Sequence, residues 1–260
     1  MQGDVGALGV LAALSMVAVA VLLSWRGGLG LERGIAWASA RALVQLLLVG
    51  VALDLVIDPD RPLALSWLWI VAMVLFAADV ARRRAPEVPG LWLLTVVAFA
   101  ATGVVTLGVV FGLGVFPLEG RTLVPIAGLV IGNSMNATVL AARRIVEELR
   151  DRRLEVEARL ALGQPSREAA RPHVRAALRT ALSPQIETTK AVGIVFLPGA
   201  MTGLILAGVE PIDAVLVQAV VMYLVLGSAA VATTVVATGL VRRLFTPDHR
   251  LTRLTRPADG

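Results

Sequence analysis

The sequence contains no cysteine, which removes disulfides, thiolate metal sites and a thiol nucleophile together. Lysine is almost missing, since Lys190 stands alone beside 23 arginines. A nucleotide-binding P-loop requires a lysine after a glycine-rich turn, whereas Lys190 follows Glu187-Thr188-Thr189, so the chain cannot supply a Walker-A lysine. Histidine is limited to His173 and His249, with no HExxH, no His cluster and no paired carboxylates at hydrolase spacing. An intramembrane zinc enzyme is therefore disfavoured, and no motif recommends an aspartyl or serine mechanism.

Apolar residues are what the chain has in excess. The hydrophobic class makes up 57% of 260 residues and the mean hydropathy is +0.79, against roughly 45 to 50% apolar content in soluble domains. Several uncharged runs reach the ~18 residues that mark a bilayer span. The expected fold is an all-α integral membrane protein, a single transmembrane domain over 1–260 built as a bundle of about seven helices. Spans are expected near 5–24, 35–57, 63–81, 91–116, 122–142, 184–209 and 212–241. The first run begins at Val5 without a basic segment before it or a small-residue cleavage site after it, and reads as a retained helix, not a signal peptide.

Charge placement orients this bundle. The net charge is +5, but the arginines cluster between apolar runs, as membrane-orienting charges do, and no separate basic domain exists to follow a nucleic acid. Alternate loops carry Arg26 and Arg33; Arg82, Arg83 and Arg84; ten arginines from Arg143 to Arg179; and Arg242, Arg243, Arg250, Arg253 and Arg256. The opposite side holds only Arg61 and Arg121. Positive-inside logic then places the N-terminus outside and the C-terminus in the cytosol of a cytoplasmic (inner) membrane protein.

One cytosolic loop, 143–183, is long and charged. Its first half reads as a helix continuing from the fifth span, with Ile145, Leu149, Val156 and Leu160 on one stripe and the pairs Arg144–Glu148 and Glu155–Arg159 on the solvated side. The helix is expected to break at Gly163-Gln164-Pro165. Ser166 would cap a new short helix beginning Arg167-Glu168-Ala169-Ala170, which Pro172 limits to about two turns unless it kinks. From Glu157-Ala158 through Gly163 to Ser183-Pro184 this segment resembles the EAA loop of ABC-transporter permeases, with Arg159 where that loop has its second Ala. By that resemblance Glu157, Ala158, Gly163, Pro165, Ser166 and Glu168 are candidates for coupling to an ATPase.

A resemblance over nearly the whole chain is carried by Arg41-Ala42-Leu43-Val44-Gln45-Leu46, by Pro125-Ile126-Ala127-Gly128 to Gly132-Asn133-Ser134-Met135, by Glu187-Thr188-Thr189-Lys190-Ala191-Val192-Gly193, and by Leu197-Pro198-Gly199-Ala200-Met201-Thr202-Gly203 to Glu210-Pro211. These runs are similar to the FetB-type iron-export permeases, a family that includes plant aluminium-tolerance permeases. The resemblance implies a homodimeric permease in the lipid bilayer working with a separate cytosolic ATP-binding cassette subunit. ATP and Mg would be bound on that partner, with no cofactor on this chain. Iron as the substrate rests on the resemblance; a nucleotide sugar or another organic solute stays open, and the local residues do not fix direction.

Candidates for the translocation path are Arg41, Gln45, Asn133, Ser134, Met135, Asn136, Glu187, Lys190, Pro198, Gly199 and Met201. Asn133 and Asn136 share one face of the fifth span, where a polar group either lines water or bonds across helices. Met135, Met201 and Met222 offer thioethers to a soft metal or fill gaps. Pro198-Gly199, expected near the middle of the sixth span, is either a hinge or a static kink. Arg41, Asp54 and Asp79 lie in spans near their ends, and Glu187 and Lys190, three residues apart, most simply neutralise each other. Gly108 with Gly112, Gly128 with Gly132, and Gly199 with Gly203 have GxxxG spacing, which suits close helix packing within a protomer or at a dimer face.

Overall fold

A computed structural model describes residues 7–58, 61–193 and 197–252. The expected start of the first span at Val5, the tail arginines Arg253 and Arg256, and positions 194–196 of the sixth span lie outside the described residues, as does the side chain of Asp54. The described residues form nine α-helices and one isolated antiparallel bridge, Phe245 to Leu251. Contacts divide the chain into two compact units, Met1–Arg61 and Pro62–Gly260.

The first unit holds α1 (Ala7–Arg26) and α2 (Glu32–Ile57), which contact each other. Their connection is tied by Ser24, whose hydroxyl donates to the Glu32 carboxylate at 2.8 Å and accepts from the Leu31 N–H at 3.1 Å. Leu46, Leu47 and Leu48 are all exposed on α2, as lipid-facing side chains are in a bilayer where water is not the solvent.

The second unit contains α3 (Leu63–Arg84), α4 (Leu91–Gly112), α5 (Gly120–Asp151), α6 (Arg153–Ala161), α7 (Ser166–Ala191), α8 (Gly199–Leu206) and α9 (Pro211–Leu244). Its hub is α5, which touches α3, α4, α6, α7 and α9. The reason is readable in its buried residues: Leu123, Ala127, Val130, Ser134, Thr138, Ala141, Ile145 and Leu149 recur every three or four positions along 32 residues. Small side chains let its neighbours come close. Ala77, Ala78 and Ala81 are buried on α3, and Ala229, Ala232 and Ala237 on α9, in keeping with membrane helices that associate by packing and not by hydrophobic drive.

Six helices, α1 to α5 and α9, are long and apolar enough to span a bilayer. The sixth expected span, 184–209, is the departure. It is not one helix: α7 ends at Ala191, Val192 is extended with φ −65° and ψ 138°, and α8 begins only at Gly199. Pro198 is therefore not mid-helix but the residue that precedes α8, with φ −64° and ψ 147°, a conformation that proline prefers before a helix. Pro172 does not limit its helix to two turns either; α7 continues through Pro172 and Pro184 for 26 residues. Burial of Ala169, Ala170, His173, Ala177 and Ala181 as one stripe offsets the hydrogen bond each proline deletes, a case of tertiary packing overriding local preference.

Candidate functional site

The described side chains gather polar function at one end of the second unit. Four cross-links define that end. Arg84 at the close of α3 donates to Asn136 Oδ1 at 2.8 Å, and Arg143 pairs with Glu87 at 2.7 Å. Arg243 near the end of α9 donates to the Gly90 carbonyl before α4 at 3.2 Å, and Ser166 at the start of α7 meets His249 of the tail. Arg84, Arg143 and Arg243, one from each of three arginine-rich segments, thus lie at this end with the start of α7.

The elbow at this end is built as expected through its first helix. Ile145, Leu149 and Val156 are fully buried and Leu160 packs partly buried beside them. Arg159 pairs with Glu155 at 3.1 Å, but Arg144 selects Glu147 at 3.0 Å, one residue nearer than the expected Glu148. Arg152, at φ −102° and ψ 24°, bends the chain between α5 and α6. The sharp turn into α7 then passes through Gly163 at φ +84°, a left-handed value that glycine adopts without the clash a Cβ would bring. Pro165, not Ser166, occupies the N-cap position of α7.

Ser166 instead is buried and held from outside the loop. Its Oγ lies 2.5 Å from His249 Nδ1, and its N–H donates to the same nitrogen at 3.3 Å. The imidazole thus caps the first turn of α7, whose leading N–H groups have no intrahelical acceptor. His249 reaches this position at φ +56°, the one positive-φ non-glycine residue described. A second fastening lies on α6: Arg153 donates to the Thr252 and Leu251 carbonyls, each at 3.2 Å, while its Nε pairs with Glu157 at 2.6 Å. The tail itself is folded back by the Phe245–Leu251 bridge and by Thr252 N–H on the Leu244 carbonyl at 2.9 Å. Arg153 and Ser166 therefore join the elbow to the segment after α9, Glu157 acts only through its pair with Arg153, Ala158 carries no side-chain polar group and Glu168 is exposed. Sequence reasoning missed this tail clamp, because nothing local in residues 245–252 signals a contact 83 to 99 positions away.

The path candidates are dispersed. Arg41 and Gln45 are exposed on α2 in the first unit. On α5, Asn133 donates to its own Leu129 carbonyl at 2.8 Å, Asn136 makes the interhelical bond to Arg84, Ser134 is buried with no hydrogen-bond partner for its Oγ, and Met135 packs against the core. Glu187 and Lys190 pair at 2.9 Å on an exposed stretch of α7. Pro198 is buried, Gly199 exposed and Met201 half-buried at the start of α8. Asp79 is held by Arg82 at 3.0 Å and Arg83 at 2.7 Å. Among the described residues no three His, Cys, Asp or Glu side chains come together in a set fit to hold a metal ion.

Of the GxxxG glycines, Gly128 sits at a close approach, where an added Cβ would lie 3.1 Å from Met73 Cε on α3. Gly108, Gly112, Gly132, Gly199 and Gly203 face nothing within 4 Å. Gly108 and Gly112 border an apolar cavity of about 580 Å³ among α3, α4 and α5. Two glycines outside any such motif have the tightest surroundings: an added Cβ at Gly90 would collide with the Arg243 guanidinium, and one at Gly239 would crowd Leu94 Cδ2.

The family described as "Uncharacterised protein family (UPF0014)" matches residues 7–245. The chain belongs to the UPF0014 family. Among UPF0014 relatives, "UPF0014 membrane protein STAR2" of Oryza sativa subsp. japonica is 38% identical over 88% of this chain and 80% of its own. "Protein ALUMINUM SENSITIVE 3" of Arabidopsis thaliana is 33% identical over 85% of this chain and 81% of its own. "Probable iron export permease protein FetB" of Escherichia coli (strain K12) is 30% identical over 92% of each chain. No solved structure matches. The UPF0014 assignment agrees with the resemblance drawn from the sequence runs and with a multi-pass helical membrane protein.

Proposed function

We propose that this chain is the permease subunit of an ABC transporter that exports iron across the cytoplasmic membrane, with ATP hydrolysed on a separate cytosolic subunit. One observation carries the reading: 30% identity over 92% of both chains to a relative whose name states iron export and permease. The missing P-loop lysine is consistent with an ATPase on another chain. In this reading the basic end faces the cytosol, and the elbow from Arg152 to Ser166 is where the ATPase docks. A push there is received by α7, a single rod of about 39 Å at 1.5 Å per residue, which delivers it to the break between Ala191 and Gly199. Such a break absorbs backbone rotation that a continuous span would resist. The open faces of Gly132, Gly199 and Gly203 suit the approach of a second copy, giving a dimer of permeases with two ATPases.

The absence of an acidic or imidazole ligand set among the described residues favours testing an organic solute beside the metal. The experiment is transport in proteoliposomes that hold this chain together with its co-purified ATPase, supplied with ATP and either iron or UDP-glucose. ATP-dependent iron movement is expected. Movement of UDP-glucose alone would replace the substrate, and failure to co-purify or stimulate any ATPase would overturn the ABC reading.

A further inference from the structure

A groove between α7 and α9 has a chemistry that the coupling role does not use. It encloses about 320 Å³ and is lined along one rim by Arg167, Arg171 and Arg175, with Val174, Leu178 and Val241 as apolar floor. The three arginines stand at four-residue spacing on α7, so they follow one another along a single face, and Arg179 continues the series. All four guanidinium groups belong to exposed residues, and none is in an ion pair among the described residues. No acidic residue lines the groove, whose far wall carries Thr234 and Thr238, each hydroxyl already donating to the carbonyl four residues before it, at 2.7 and 2.9 Å. Elsewhere at the basic end Arg82, Arg83, Arg143, Arg144, Arg150, Arg153 and Arg159 each have a carboxylate partner, and Arg84 and Arg243 are bonded to Asn136 and to the Gly90 carbonyl.

Depth within the membrane narrows the ligand. Ala214 to Val241 carries no charge and is about 42 Å long at 1.5 Å per residue, some 12 Å more than the hydrocarbon core. Shared between the two ends, that excess brings Thr238 to Val241 to the headgroup layer at the arginine-rich end. Arg167 opens the rim beside the elbow, whereas Arg171 and Arg175 lie five and nine residues past Ser166, about 7.5 and 13.5 Å further along α7 and away from the elbow tip. A docked ATPase would meet the tip first, and an acidic protein surface would have no use for the apolar floor. We propose that this groove is a binding site for an anionic phospholipid of the leaflet at that end, its phosphate held by Arg171 and Arg175 and the start of an acyl chain lying over Val174 and Leu178. Guanidinium groups suit phosphate because their planar donors engage two oxygens at once.

The test is native mass spectrometry of the full chain in detergent containing equal amounts of phosphatidylglycerol and phosphatidylcholine with identical acyl chains. The wild type should retain phosphatidylglycerol preferentially, and each of Arg171→Gln and Arg175→Gln should reduce that preference roughly fivefold, the effect of about one near-surface cation. Arg171→Lys with Arg175→Lys preserves charge and checks folding, and Arg144→Gln, exposed on α5 outside the groove, should leave the preference intact. Equal retention of both lipids by the wild type, or an unaltered preference in the double Gln variant, would refute the site. Displacement of bound lipid by millimolar glycerol phosphate would assign the arginines to a soluble phosphate instead. If the double Gln variant kept its lipid but lost a co-purifying protein, the stripe would be a protein-docking surface and the proposal would fall.

Discussion

Replacing Arg153 with Ala separates the tail from the elbow without touching the core. The guanidinium supplies two hydrogen bonds to main-chain carbonyls, Leu251 and Thr252, and the pair with Glu157. A charge-assisted bond contributes about 1.5 to 3 kcal/mol when water is excluded. Here the Arg153 side chain is 38% exposed and Glu157 44%, so water replaces much of what is lost, and the ion pair adds little. A combined cost of about 1.5 kcal/mol follows for tail docking, equivalent to roughly a tenfold rise in the detached population. The tail remains anchored through His249 and Ser166, so the effect is local opening and not global unfolding. Hydrogen–deuterium exchange reads it directly at two amides, Thr246 N–H on the Arg250 carbonyl and Thr252 N–H on the Leu244 carbonyl, both at 2.9 Å. Exchange there should accelerate about tenfold while amides around Leu123 and Val130 of α5 stay unchanged. Unaltered exchange at Thr246 and Thr252 would mean that Arg153 does not hold the tail.

Other sites give sharp contrasts. Gly90→Ala and Gly114→Ala meet similar backbone strain, at φ +63° and +67°, but only Gly90 has the Arg243 side chain against it. The Gly114 variant should lose about 1 kcal/mol and the Gly90 variant clearly more in a denaturant titration, with Arg243→Ala restoring the Gly90 variant to the Gly114 level. Val156, fully buried in the elbow, should cost about 2 kcal/mol on truncation to Ala, seen as a lowered unfolding midpoint. Ser134→Ala removes a buried hydroxyl that has no partner, so stability should hold or rise; a fall in transport with stability intact would place Ser134 on the path, and unchanged transport would remove it.

Much of the architecture was legible because the bilayer simplifies the code. Uncharged runs of sufficient length announce helices whatever surrounds them, since each backbone polar group must be satisfied inside its own segment. The amphipathic stripe Ile145–Leu149–Val156–Leu160 and the turn at Gly163 were equally local, set by helical period and by one left-handed glycine. Proline misled: Pro172 signalled an interruption that α7 overrides, because the alanine stripe from Ala169 to Ala181 is buried where α7 packs against α5 and α9.

The sequence by itself determined the solvent, the helical class, the segregation of arginine and the kinship, since these depend on composition, run length and ordered motifs. Only the tertiary structure decided that the expected sixth span is not one helix, that His249 caps α7, that Arg153 fastens the tail, and that Gly90 and Gly239, not most of the GxxxG glycines, sit at the tightest approaches. Those features arise from contacts between residues far apart in the chain, and a side chain's partner across such a distance is set by packing of whole helices, which no local pattern encodes.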